Sequence, residues 1–230
     1  MSKNKKETIG PGIEDVENAL TKAEQFIEDN QRLLTIIFVI IVAVVGSFFG
    51  YKKLFLAPRE KEAEEQMFMA EQYFEKDSFN LALNGDGNNY GFLKIIDDYS
   101  LTKSANLSHY YAGICYLHLG NFKQSIDQLK KFNADDKLIS SIAIGATGDA
   151  YVELGKKIDA LDYYLKAANN HKNEFTSPIY LMKAGQLYEF EGNFAKALDT
   201  YNEIKDKYSK SFEGRQIDKY ITRVQVKIGQ

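Results

Sequence analysis

Three histidines are the residues of this sequence best suited to metal binding or proton transfer. His109 and His118 lie on one predicted helix, nine residues apart, so at about 100° per residue their side chains point about 180° away from each other. His171 lies in a predicted loop between helices. A metal site or an acid–base pair needs side chains that converge. We therefore expect core or surface histidines, and predict no metal site and no catalytic residues.

An Asx-rich loop is the second place where an ion could bind. Asn84, Asp86 and Asn88 alternate as they do at the start of an EF-hand calcium loop. That loop requires a glycine and, at its end, a glutamate, where this chain has Asn89 and Ile95. We expect the loop to form turns rather than bind calcium, and we predict no cofactor.

The remaining reactive groups do not indicate an enzyme. The single Cys115 has no partner for an internal disulfide, and its place in a predicted helix indicates a small buried residue. No phosphate-binding loop or activated serine occurs in the context that it needs. The chain has 29 Lys and Arg against 32 Asp and Glu, a net charge of -3, which argues against nucleic acid as a partner.

A pattern of Gly-x-x-Tyr-x-x-x-Gly occurs three times in the chain. The copies are Gly113-Tyr116-Gly120, Gly148-Tyr151-Gly155 and Gly185-Tyr188-Gly192, spaced 35 and 37 residues apart. Glycine inside a helix costs about 1 kcal/mol relative to alanine, so the first glycine predicts a close neighbouring helix. The second glycine predicts the end of the helix, in the left-handed conformation. A second helix follows each turn, and its small residue (Ser125, Ala160 or Ala197) is expected to face the first glycine.

These copies resemble the tetratricopeptide repeat, whose period is about 34 residues. The resemblance implies an all-α fold in which helical hairpins stack into a solenoid. Repeats are predicted near 63–105, 106–140, 141–177 and 178–211, the first of them degenerate with an insertion, and a capping helix is predicted at 212–228. The large residue usual early in the first helix is weak and the closing proline is missing, which indicates divergent repeats.

Residues 33–51 are 19 residues without a charge. At 1.5 Å per residue such a helix reaches about 28 Å, close to the roughly 30 Å of hydrocarbon in a bilayer. We expect one transmembrane helix here, with a tail at 1–32, a juxtamembrane linker at 52–62 and the repeat domain at 63–230. A cleaved signal peptide is the alternative, but about thirty residues precede the apolar run where a short basic region is expected.

Two helix faces before the repeats are candidates for contact with other proteins. The small residues Ala43, Gly46, Ser47 and Gly50 of the anchor would let another membrane helix come close. The apolar residues Ile13, Val16, Leu20, Ala23 and Ile27 of the tail share one stripe of a predicted helix. That helix is acidic, which disfavours a lipid surface and favours a protein partner. Alternatively, the anchor helix begins early and its first turns are solvated.

A groove along the first helices of the repeats is the predicted binding site. In tetratricopeptide repeats, recurring first-helix positions line the concave side. They give here Leu107, Tyr110, Ile114, Leu117, Ile142, Asp149, Val152, Ile179, Met182, Gln186 and Phe190, with Glu153 and Glu189 beside them. We expect a mixed apolar and acidic groove for a peptide or protein, without the Lys and Asn set that holds a C-terminal carboxylate. The alternative is that some of these side chains form the core between repeats.

The order of acidic tail, one anchor and divergent repeats resembles the YfgM-like family, the ancillary subunits of the SecYEG translocon. The junction at residues 24–30, followed by Leu33 and Leu34, is similar to that family, and residues 77–92 are similar to its version in Bacteroidota-like bacteria. The resemblance implies an inner-membrane protein with a cytoplasmic N-terminus and periplasmic repeats. Its implied partners are the SecYEG translocon and periplasmic folding factors or exported clients, in a chaperone-like or adaptor role.

Charge does not decide the orientation of the anchor. Five Lys and Arg precede it and four lie within about twenty residues after it, a near tie under the positive-inside rule. A repeat domain that faces the cytoplasm therefore stays open. An envelope scaffold for division or secretion machinery, without client binding, is the alternative function.

Overall fold

The computed structural model describes residues 21, 22 and 24–229. This part of the chain consists of helices and the turns between them, and it contains no strand. The all-α prediction is therefore confirmed for the described residues. The chain divides between residues 57 and 58 into two units, and each is described by itself.

The first unit contains helix α1 (Gln31–Tyr51) and a π-helical turn at Lys52–Leu56. No residue of α1 is buried, and large apolar side chains such as Phe38 and Val44 are exposed. The described residues contain one helical stretch, which includes α1, that is long and apolar enough to cross a membrane. Because water disfavours so much exposed apolar surface, this helix needs an apolar neighbour.

The small-residue face of α1 is open in this unit. A Cβ atom added at Gly46 or Gly50 would meet nothing within 4 Å, and Ala43 and Ser47 are exposed on the same helix. The face leaves space for a neighbouring helix, and its role in docking stays a prediction.

The predicted stripe of the tail lies largely beyond the described part of the chain. Residues 24–29 are helical, and Ile27 is exposed among them. The other members of the stripe lie outside the described residues: Ile13, Val16, Leu20 and Ala23.

The second unit carries the repeats. Its helices are α2 (Ala57–Glu75), α3 (Phe79–Asn84), α4 (Phe92–Asp98), α5 (Lys103–His118), α6 (Phe122–Lys131), α7 (Ile139–Glu153), α8 (Lys157–Asn169), α9 (Thr176–Phe190), α10 (Phe194–Lys207) and α11 (Asp218–Ile228). Helices α5 and α6, α7 and α8, and α9 and α10 pack as hairpins, and each hairpin packs on the next. Residues 52–62, predicted as a linker, are helical: they form the π-helical turn and the start of α2.

Left-handed glycines end the first helix of each hairpin, as predicted. The φ angles of Gly120, Gly155 and Gly192 are 76°, 71° and 74°. At the first of these turns, the amide of Asn121 donates to the carbonyl of Tyr116 at 2.8 Å, which satisfies a carbonyl that the helix end leaves free. The glycines therefore fix where each hairpin reverses.

The other glycine of each pattern makes room for a large side chain. A Cβ added at Gly113, Gly148 or Gly185 would lie closer than 3.0 Å to the side chain of Leu129, Tyr164 or Tyr201, respectively. Ala160 was expected to face Gly148, and its carbonyl oxygen would lie 3.3 Å from that Cβ. The same expectation for Ser125 and Ala197 stays a prediction. Ser125, Ala160 and Ala197 are fully buried, one helical turn before Leu129, Tyr164 and Tyr201. The side chains of these last three residues fill the space that the glycines leave.

The degenerate first copy has a second helix that is broken in two. The insertion between α3 and α4 is organised by Asp86, whose Oδ1 accepts hydrogen bonds from the amides of Asn88 and Asn89 at 2.8 and 2.6 Å. The hydroxyl of Tyr73 donates to its Oδ2 at 2.7 Å. These hydrogen bonds, the backbone donation from Asn89 foremost, lower the pKa of Asp86. The Asx residues therefore build a turn, as expected.

The last helix closes the core at the C-terminal end of the repeats. Ile221 and Val224 of α11 are buried against the cluster that includes Tyr201 and Ile204 of α10. The capping helix predicted at 212–228 begins at Asp218, later than expected. Before it, Gly214 passes so close to the backbone of Tyr208 that a Cβ would clash with the carbonyl oxygen, and Gly214–Gln216 forms a short 3-10 helix.

Candidate protein-binding groove

The first helices of successive hairpins lie side by side, α5 against α7 and α7 against α9. The side of the unit that they form is where the groove is predicted. Helix α11 takes the next place in this row, because its Arg223 reaches Glu189 of α9. The second helices α6, α8 and α10 form the opposite side.

The predicted groove residues divide between core and surface. Val152, Ile179, Gln186 and Phe190 are exposed, whereas Leu107, Tyr110, Ile114, Leu117, Ile142 and Asp149 are half-buried and Met182 is buried. Tyr110, Ile114 and Leu117 pack against the small core cluster of Leu129, Ala143 and Ala146. Leu107 packs against the core of the first copy. Because Met182 is buried, it is not available to a partner. The exposed residues of the predicted groove all belong to α7 and α9, so the open part of the groove lies there.

A cavity of about 460 Å³ opens between α7 and α9. Val152, Gln186 and Phe190 line its rim, with Tyr164 and Leu187 behind them. The Phe190 ring is 72% exposed, and a side chain of this size loses about 1.5 to 3 kcal/mol by staying in water. The cavity therefore offers an aromatic anchor to a partner.

A lysine partly covers that anchor. The Nζ atom of Lys157 lies 4.3 Å from the centroid of the Phe190 ring and 2.7 Å from Oε1 of Glu191. The ring thus keeps a cation over one face by a cation–π contact. An aromatic or apolar group from a partner would pack beside an already placed positive charge.

Asp149, a predicted groove acid, is held within the protein. Nζ of Lys183 lies 2.6 and 2.8 Å from its two carboxylate oxygens, and the hydroxyl of Tyr164 donates to Oδ1 at 2.6 Å. Burial, and then the hydrogen bond to Asp149, raise the pKa of Tyr164. The hydroxyl therefore stays protonated and keeps donating, and Asp149 offers little free negative charge to a ligand.

Glu189 repeats this arrangement one hairpin later. Arg223 donates from Nε and Nη2 to its two carboxylate oxygens at 2.8 and 2.7 Å, and Tyr201 donates at 3.0 Å. The Glu189 side chain is only 9% exposed. Burial by itself would raise its pKa, but the hydrogen bonds from Arg223 and Tyr201 outweigh this and lower it.

A second cavity, of about 400 Å³, lies between α9 and α11. It shares Gln186 and Phe190 with the first cavity and is lined on the other side by Tyr220, Arg223 and Lys227. The two cavities thus flank one exposed phenylalanine. Lys183 and Arg223 neutralise two of the predicted acids, Asp149 and Glu189. The third, Glu153, is exposed, so the open surface is apolar with charges of both signs.

Sequence reasoning missed the cations of this surface. Asp149 and Lys183 are 34 residues apart, and so are Glu189 and Arg223. Opposite charges one repeat period apart were the signal that could have identified both pairs, because equivalent positions of neighbouring hairpins lie side by side.

The described residues offer no metal site. They include no group of three His, Cys, Asp or Glu that could hold a metal. Nδ1 of His109 lies 2.7 Å from Oε1 of Gln128, and His118 stacks on Phe79 at 4.2 Å between centroids. Burial raises the pKa of Cys115 to about 12, so its thiol is protonated and unreactive at neutral pH.

Comparison with known proteins identifies the repeats. Residues 180–211 match the family model described as the tetratricopeptide repeat. A TPR repeat-containing protein of Methanocaldococcus jannaschii is 30% identical over 95 residues, which make up 41% of this chain and 16% of that protein. The chain thus spans a small part of the length of that relative.

Solved structures show the same architecture. A Podosopora anserina protein, described as a kinesin light chain with nearly identical TPR-like repeats, and a substituted variant of it each give a TM-score of 0.56 at 11% identity. The matches cover 74% of this chain and 88% and 89% of those chains. At this identity the likeness shows the fold, which is a TPR-like solenoid. Repeats of this kind imply a protein-interaction module.

Proposed function

We propose that this chain is a membrane-anchored adaptor that holds protein partners in the groove formed by α7, α9 and α11. The observation that carries this proposal is the exposed Phe190 between two cavities. Aromatic anchors that a partner can cover supply much of the binding energy at protein interfaces. Because the lysines at this surface already face carboxylates, Lys157 at Glu191 and Lys227 at Glu189, the groove favours partner segments that are mainly apolar.

Helix α1 supports the membrane part of the proposal. It has the length and the apolar composition of a spanning helix, and the open space at Gly46 and Gly50 admits a second membrane helix. An anchored groove meets its partners at a raised effective concentration, so it can work with modest affinity for each.

The resemblance to the YfgM-like family supports a more specific role. In that role the chain is an ancillary subunit of the SecYEG translocon in the bacterial inner membrane. Its N-terminus lies in the cytoplasm and its repeats lie in the periplasm, where they pass exported proteins to folding factors. The groove would act by contact and proximity, without a cofactor.

Protease treatment of spheroplasts tests the orientation. The proposal predicts that external protease digests the repeats while leaving the tail protected. Repeats that resist digestion until the membrane is permeabilised would place them in the cytoplasm and reverse the orientation.

Crosslinking from Gly46 or Gly50 tests the translocon assignment. A photoreactive residue at either position should give products with the translocon channel. Products only with division or cell-wall proteins would end this assignment and favour an envelope scaffold.

A further inference from the structure

Three lysines surround two tyrosine rings, and none of these five residues lines the two cavities of the groove. Nζ of Lys130 lies 5.4 Å from the centroid of the Tyr151 ring and 5.5 Å from that of Tyr163. Lys156 lies 5.9 Å from the Tyr151 centroid, and Lys166 lies 5.8 Å from the Tyr163 centroid. We call these five residues the lysine–tyrosine cluster.

Among the described residues, the positive charges of this cluster have no carboxylate in ion-pair contact. Within the described part of the chain, no carboxylate oxygen lies within 4.0 Å of Nζ of Lys130, Lys156 or Lys166. Lys130 donates instead to the hydroxyl of Tyr151 at 2.9 Å, which raises the pKa of the ammonium group. Neighbouring like charges repel one another, so an anion placed among them would be stabilised.

A cavity of about 240 Å³ lies beside two of these lysines. It is lined by Lys130 and Lys166 together with Ser140, Asn170 and Tyr163, between α6, α7 and α8. Polar side chains and cations thus share one recess. Asn170 already donates to the hydroxyls of Ser140 and Ser141, so a carboxylate entering the recess would be held mainly by the two ammonium groups.

A small residue on α7 leaves space for this cavity. Ala143 lines it on α7, and 37 residues later the equivalent position of α9 holds Tyr180. The Tyr180 ring fills the space beside α7, where a Cβ on Gly145 would clash with it.

We propose that the lysine–tyrosine cluster is a second binding site, which holds an acidic segment of a partner protein by a carboxylate seated between Lys130 and Lys166. This site is separate from the groove and does not depend on the proposed function of the groove. It would let the repeats hold a second, acidic protein segment while the groove is occupied.

The test measures binding of a fluorescein-labelled decaglutamate peptide to the full chain in non-ionic detergent at low salt, by fluorescence anisotropy. We expect saturable binding that weakens as salt is raised, because exposed charges are screened. The double variant Lys130→Gln and Lys166→Gln should bind at least tenfold more weakly. The matched control, Lys172→Gln with Lys210→Gln, removes two exposed lysines outside the cluster and should leave the affinity unchanged.

A third variant tests the cavity without changing charge. Ala143→Leu adds apolar volume at the cavity wall and should weaken peptide binding, while circular dichroism shows the same helix content. Equal affinity of the wild type and the double variant would overturn the proposal. It would also be overturned if inorganic tripolyphosphate bound and the glutamate peptide did not, since the site would then be one for phosphate groups.

Discussion

Replacing Arg223 with Met tests whether the clamp on Glu189 holds the C-terminal cap in place. The substitution keeps an unbranched apolar stem but removes both charge-assisted hydrogen bonds to a carboxylate that is only 9% exposed. Breaking a buried pair from one side costs about 3 to 5 kcal/mol. Because the Arg223 side chain is 49% exposed and Lys227 remains 3.8 Å away, we expect a loss of about 2 kcal/mol.

The pH dependence of this loss follows from the lowered pKa of Glu189. A carboxyl group whose pKa is lower in the folded state stabilises the fold above its unfolded pKa, and this stabilisation is lost as pH falls through the folded pKa. The difference between wild type and Arg223→Met should therefore be largest near pH 7. It should shrink as the pH is lowered below the usual pKa range of glutamate, about 4.

Urea unfolding of the full chain in detergent, followed by circular dichroism, measures the effect. The matched control is Lys205→Met, which breaks the ion pair between Lys205 and Asp218. The Lys205 side chain is 53% exposed and the Asp218 side chain is 78% exposed. Such an exposed pair contributes about 0 to 1 kcal/mol. A loss for Arg223→Met no larger than that of the control, or one that does not change with pH, would refute the account of the clamp.

Three further predictions follow from the same structure. Gly185→Ala should lower the free energy of unfolding by about 1 to 3 kcal/mol, because the new Cβ meets the Tyr201 ring; an unchanged melting temperature would contradict this contact. Phe190→Ala should leave the melting temperature within about 2 °C, since the ring is exposed, and should lower recovery of crosslinked partners, whereas full recovery would remove the ring from the binding surface. Cys115 should resist maleimide labelling at pH 7 in the folded chain and react in urea, as its burial and raised pKa require; rapid labelling without urea would show that α5 opens.

The glycines and the helical patterns of this sequence were sufficient to predict the hairpins. The glycines that end the first helices, such as Gly155, were predictable because the left-handed conformation is costly for residues with a Cβ. The apolar segment 33–51 was equally clear, since it lacks charges. Both signals are local, so they can be recognised without knowing which helices meet.

Side-chain partners between hairpins could not be derived in the same way. Whether Ala160 or Tyr164 fills the space beside Gly148 depends on the rotation of one helix about its axis, which the period alone leaves undetermined. Likewise, the sequence predicts Asp149 as a groove acid, whereas in the structure Lys183 contacts both of its carboxylate oxygens. The charge of the groove surface therefore depends on contacts between residues one repeat apart.

Photocrosslinking from the groove tests the central claim, that this surface holds protein partners, most directly. Benzoylphenylalanine placed at Gln186, which borders both cavities, is compared in living cells with the same residue at Asp199, exposed on α10. The account predicts discrete crosslinked proteins from position 186 that disappear when Phe190→Ala is added, and none of them from position 199. The same products from both positions, or products that persist with Phe190→Ala, would contradict it.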